Sequence, residues 1–197
     1  MRRDQQDRAG GFILIAAMVA VMWIVEVYDA LGGDPDSAGI RPRDPDGLVG
    51  VPLSPFLHGS WGHLIGNMIP FVVLGAGIAI GGLVRVGIVS AIVIVVGGLG
   101  TWLTGPDNSI HIGASGMVFG FAGYLVARGA YTRTLGHILG GLVVIAVYGA
   151  TLLSGFVPTP GVSWQGHLFG AVGGVVAARY LHHRGRTRPV SRTRVPA

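Results

Sequence analysis

Six apolar stretches, at about 11–31, 61–83, 86–103, 115–131, 135–156 and 164–181, constrain this chain more than any other feature of its sequence. Most approach the roughly 20 residues needed to cross a hydrocarbon core, and the fourth and sixth run near the lower limit of about 17. In lipid a spanning backbone must satisfy its own hydrogen bonds, so repeated apolar stretches of this length predict helices. Only 12% of the residues are charged, about half the share of an ordinary soluble domain. Most of the 35 glycines are spread through the apolar runs rather than gathered in linkers, and close packing of membrane helices requires such small residues. The expected fold class is an all-α polytopic membrane protein with six transmembrane helices. The absence of cysteine excludes disulfides, thiolate metal sites and a cysteine nucleophile.

The charge pattern supplies a topology. All 14 basic residues are arginine, and Arg41 and Arg43 alone lie in the long loop 32–60, beside Asp29, Asp34, Asp36, Asp44 and Asp46. The others fall before the first stretch (Arg2, Arg3, Arg8), after the second (Arg85), after the fourth (Arg128, Arg133) and after the sixth (Arg179, Arg184, Arg186, Arg188, Arg192, Arg194). In a six-span chain those positions share one side, which the positive-inside rule makes cytoplasmic, with both termini there. The net charge of +5 therefore follows the membrane and does not point to nucleic acid. The first stretch runs into Glu26 and Asp29 with no small-residue cleavage site and is read as a retained span. The expected organisation is a cytoplasmic N-terminus over 1–10, a membrane domain over 11–183 and an Arg-rich cytoplasmic tail over 184–197, read as disordered. Pro35, Pro42, Pro45, Pro52 and Pro55 argue against regular structure over most of the loop 32–60.

Polar side chains are rare in the apolar stretches and cluster near one side. Ser115 opens the fourth stretch within Gly113-Ala114-Ser115-Gly116. An isolated string of this kind is explained as well by a helix N-cap. As a nucleophile, Ser115 needs a base within hydrogen-bond reach and donors for an oxyanion. His167, near the start of the sixth stretch, is a suitable base. Glycines at 116 and 120, and at 166, 170 and 174, present bare faces that permit a close crossing of these two helices. Phe119 lies one turn after Ser115, where it can pack on the imidazole. No acidic residue lies in either stretch, so the pattern is a Ser–His dyad rather than a triad. His63 and Asn67, spaced i and i+4 on one helix face, are candidate oxyanion donors. His58 is placed behind them as support, and His111, in the loop before Ser115, is read as structural. A metal site is disfavoured because there is no Cys and no H-E-x-x-H string.

In this order, His58-x4-His63-x3-Asn67, Gly113-Ala114-Ser115-Gly116 and Gly166-His167-x2-Gly170 resemble the rhomboid family of intramembrane serine proteases, in its six-span bacterial form. The resemblance covers about 10–183 and implies a rhomboid-like six-helix bundle in a bacterial plasma membrane. It implies that Ser115 is the nucleophile and His167 the general base and acid. It implies an oxyanion hole of His63, Asn67 and the Ser115 backbone N–H, with Gly170 letting the two helices meet. It implies a cap from 155–163, a loop 32–60 partly in the outer leaflet, a fifth segment that moves aside, and no cofactor. The implied partners are the lipid bilayer and single-span membrane proteins, cut near the outer end of their spans. Phe119 stands where some members carry Tyr, and loop 32–60 shows Arg41-Pro42-Arg43 in place of a Trp-Arg pair. The alternatives are a catalytically silent rhomboid-like module that binds membrane proteins, and a small transporter. The transporter predicts polar groups through the full membrane depth, whereas here they gather at one end.

Overall fold

The computed structural model describes residues 2–186. It is all-helical, with α1 at Arg2–Ala30, the short α2 at Gly50–Leu53, α3 at Trp61–Ala79, α4 at Leu83–Thr104, α5 at Ser115–Thr132, α6 at Leu135–Ser154 and α7 at Trp164–Arg186. The six long helices stand where the six apolar stretches lie. Their bounds differ mainly at polar ends. The first helix runs back to Arg2 through the exposed polar segment 3–9, and the last continues through Arg184. Of the expected tail, 187–197 lie outside the described residues.

The second helix-bearing stretch stops earlier than its apolar run. Helix α3 ends at Ala79, and Gly82 adopts φ +94° to turn the chain into α4. That left-handed conformation costs glycine little and other residues more. Asp7 of α1 then accepts a hydrogen bond from the Leu83 N–H, which occupies one of the free amides at the start of α4.

Helix α5 is the centre of the bundle. It packs on α3, α4, α6 and α7, while α7 lies between α4 and α5, and α1 lies across α3 and α4. The α5–α7 crossing is made by bare backbone. A Cβ on Gly170 would meet the Gly116 carbonyl, and a Cβ on Gly174 would meet the Gly120 carbonyl. Phe71, Leu74, Ile78, Val89, Met117, Phe121 and Tyr124, from α3, α4 and α5, belong to the hydrophobic core and are almost wholly buried. Large apolar residues also cover the outside, among them Ile24, Ile69, Val84, Leu142, Val143 and Leu153. An apolar exterior around a glycine-rich interior is the distribution expected of a protein solvated by lipid.

Four helices, α1, α3, α4 and α6, are long and apolar enough on their own to cross a membrane. Helices α5 and α7 fall short because they carry the glycines of the crossing together with Arg128, Gln165, His167 and Arg179. Their neighbours, rather than lipid, cover much of their surface. Helix α6 is the opposite case, since it packs chiefly on α5 and buries only Gly141 and Val144.

Loop 32–60 is more regular than its prolines suggest. It folds into single 3-10 turns at Asp36–Ala38, Pro45–Val49 and Ser54–Phe56 around α2. Proline supplies the first-turn φ in the second and third of these turns, where its missing N–H leaves nothing unsatisfied. The loop is fastened to the bundle. Ile40 and His111 exchange backbone hydrogen bonds at 3.0 and 2.9 Å, the Trp102 indole donates to the Asp44 carbonyl, and Arg43 pairs with Asp107.

Candidate active site

Ser115 is the first residue of α5, and Ala114 occupies the cap position without a side-chain cap bond. The Ser115 hydroxyl is therefore not used as a helix cap. Its Oγ lies 2.8 Å from His167 Nε2. Ser115 opens α5 and His167 lies in the first turn of α7, so the α5–α7 glycine crossing sets the two residues side by side. The other ring nitrogen, Nδ1, lies 2.7 Å from the Gly155 carbonyl oxygen. A carbonyl oxygen only accepts, so Nδ1 carries the proton and Nε2 presents its lone pair to the serine. The hydroxyl then donates to Nε2, the direction in which a general base takes a proton.

Phe119 stacks flat on the imidazole, with ring centroids 4.1 Å apart and an interplanar angle of 3°. Phe156 meets Phe119 edge-on from the loop after α6. The ring is thus fixed by a carbonyl on its edge and an aromatic on its face. Sequence reasoning missed the Gly155 carbonyl because a backbone acceptor carries no residue-type signal. Only the glycine hints at it, since a Cβ there would run into Phe119 and His167.

His63 and Asn67 reach the site from α3. Ser60 caps that helix by accepting from the His63 N–H at 3.2 Å. Asn67 Nδ2 donates one proton back to the His63 carbonyl at 2.9 Å, which orients the amide and leaves its second proton uncommitted. The His63 ring lies against Gly113, where a Cβ would touch it, and Gly113 has φ +113°. Both requirements select glycine. Among the described residues the His63 ring has an edge contact with His58 and no hydrogen bond.

His58 sits behind this wall and does not line the cleft. Its Nε2 accepts from the Ala114 N–H at 3.3 Å, so it holds the backbone immediately before Ser115. Burial, with the neighbouring His63 ring as a smaller influence, pushes the His58 pKa down to about 4. The ring is therefore a neutral acceptor at physiological pH.

Ser115, His167, His63 and Asn67 all face one open cleft of about 1030 Å³, walled by the 106–112 loop on one side and by 158–165 on another. The arrangement sets a hydroxyl, an imidazole lone pair aimed at it, and amide and imidazole donors around one open space. Among the described residues no group of three or more His, Asp or Glu side chains is arranged to hold a metal ion.

A model of the Rhomboid domain matches residues 46–184. An uncharacterized protein of Mycobacterium tuberculosis is 47% identical over 181 residues, covering 87% of this chain and 75% of the relative. An uncharacterized protein of Mycobacterium bovis matches to the same extent, with 47% identity over 87% of this chain and 75% of its own length. One of Mycobacterium leprae is 42% identical over 87% of this chain and 71% of its own length.

Proposed function

The chain belongs to the rhomboid family, and from that premise we propose that it is an intramembrane serine endopeptidase cutting single-span membrane proteins near the outer face. The protein is an all-helical integral membrane protein, and its family acts on transmembrane substrates within the bilayer. The observation that carries the proposal is the 2.8 Å Ser115–His167 hydrogen bond, with the ring proton committed to Gly155, at the floor of an open cleft.

In this reading Ser115 Oγ attacks the scissile carbonyl carbon while His167 Nε2 takes the hydroxyl proton. The new oxyanion is met by the free Asn67 amide proton, the His63 ring and the Ser115 backbone N–H at the positive end of α5. The C–N bond breaks as His167 returns the proton to the leaving amine. Water, deprotonated by the same imidazole, then releases the acyl group from Ser115. The Gly155 carbonyl takes the place that a carboxylate holds in a triad, keeping the ring in the useful tautomer without adding a charge. Helices α5 and α7 would complete a six-span bundle with both termini cytoplasmic, a reading that the arginine distribution supports. The sparse packing of α6 supports it as the element that yields to an incoming substrate helix.

The test is cleavage of a model single-span substrate by purified protein in liposomes. Ser115→Ala and His167→Ala should abolish cleavage, and Asn67→Ala should slow it by roughly 100-fold or more, the usual cost of one oxyanion donor. Cleavage that survives Ser115→Ala would refute the mechanism.

A further inference from the structure

A second serine–histidine contact joins the same two chain segments one step away from the first. His111 lies four residues before Ser115, and Ser163 lies four residues before His167. His111 Nδ1 is 2.7 Å from Ser163 Oγ, and His111 Nε2 is 2.9 Å from Ser109 Oγ. We propose that His111 is a positioning residue for His167, holding the start of α7 through Ser163 so that the imidazole stands at Ser115. The proposal rests on the protease reading above and adds a residue to it.

The proton directions along this contact can be deduced. Ser109 Oγ lies 2.6 Å from the Pro106 carbonyl, which only accepts, so the Ser109 hydroxyl proton is spent there. Ser109 must then accept from His111 Nε2–H. A neutral imidazole protonated on Nε2 has a lone pair on Nδ1, so the Ser163 hydroxyl donates to Nδ1. The Ser163 oxygen remains free to accept, and it takes the Gly166 N–H at 3.3 Å. One directed chain therefore runs from the α7 amide through Ser163, His111 and Ser109 to Pro106. Burial lowers the His111 pKa and keeps the ring in the neutral form this chain requires.

Both ends of the link are anchored. His111 exchanges two backbone hydrogen bonds with Ile40, so the imidazole is mounted on a three-way junction of loop 32–60, the 105–114 loop and the cap. On the other side, the Ser163 carbonyl accepts from the His167 N–H itself at 3.1 Å. Ser163 thus caps α7 with its side chain and holds the His167 amide with its backbone. Without the histidine, the Ser163 hydroxyl is no longer held by the loop that carries Ser115, and its cap on α7 loosens. The first turn of α7 would then be free to shift against α5, and small misplacements of a base are costly to catalysis.

The test uses the full-length protein in detergent micelles. Hydrogen exchange at the Gly166 and His167 amides should quicken in His111→Phe, which keeps the ring volume without its nitrogens, and in Ser163→Ala. His111→Asn, whose amide oxygen can replace Nδ1 as acceptor, should restore slow exchange. With a single-span substrate, His111→Phe should lower kcat by about 10-fold with KM unchanged. The His111→Phe/Ser163→Ala double variant should be no slower than Ser163→Ala, because both changes cut one link. Exchange unchanged in His111→Phe, or rate losses that multiply in the double variant, would overturn the inference. A wild-type protein that cleaves nothing would instead refute the protease reading and His111's catalytic purpose, with the exchange measurement alone deciding whether His111 anchors α7.

Discussion

At the residue scale, the site depends on which ring nitrogen of each histidine presents a lone pair. His167 is set by the Gly155 carbonyl, and His58 accepts the Ala114 amide with a ring whose pKa lies near 4. Protonation of His58 would oppose two N–H groups at 3.3 Å, directly before Ser115. Its folded pKa lies below the unfolded value of about 6.5, so the charged form is disfavoured only in the folded state. The stability contributed by neutral His58 is fully present above pH 6.5 and is lost as pH falls from there through about 4. The full loss amounts to about 3 kcal/mol. Thermal unfolding in detergent between pH 7.5 and 4 should show this decline. In His58→Gln, which retains an acceptor and cannot titrate, the same curve should be flatter by that amount.

At the scale of elements, the α5–α7 crossing decides whether Ser115 and His167 meet. A Cβ on Gly170 would meet the Gly116 carbonyl, which is backbone and cannot swing away. Gly170→Leu should therefore destabilise the protein by at least about 1–3 kcal/mol and abolish cleavage. Gly140, on α6, has nothing within 4 Å of a Cβ. Gly140→Ala should be neutral or stabilising by about 0.5–1 kcal/mol. Denaturant titration of both variants in one detergent gives the comparison. Much of this was legible in sequence, because the four-residue glycine spacing on both helices marks a crossing and Phe119 falls one turn from Ser115. The Gly155 carbonyl and the turns of loop 32–60 were not. The first is a backbone group, and the second depends on fastening by Trp102, Asp107 and His111, residues far away in sequence.

For the whole molecule, the question is which end faces outward. Residues near Arg85, Arg133 and Arg184 lie at one end of the bundle, where Arg85 reaches the Tyr124 hydroxyl and Tyr131 stacks on His182. The cleft lies at the other end. The native chain contains no cysteine, so single cysteines report sidedness directly. Ser37→Cys, exposed in loop 32–60, should react with a membrane-impermeant maleimide on intact cells, and Thr134→Cys, exposed between α5 and α6, only after permeabilisation. The reverse pattern would invert the topology derived from the arginines. Activation of the Ser115 nucleophile by His167 is the core of the proposed mechanism. It is tested most directly by treating the purified protein with a fluorophosphonate, which forms a serine–phosphorus bond with loss of fluoride, and mapping the adduct by mass spectrometry. One adduct is expected, on Ser115, in the wild-type protein, with its loss in His167→Ala. An unlabelled wild-type protein, or labelling of Ser115 undiminished in His167→Ala, would contradict it.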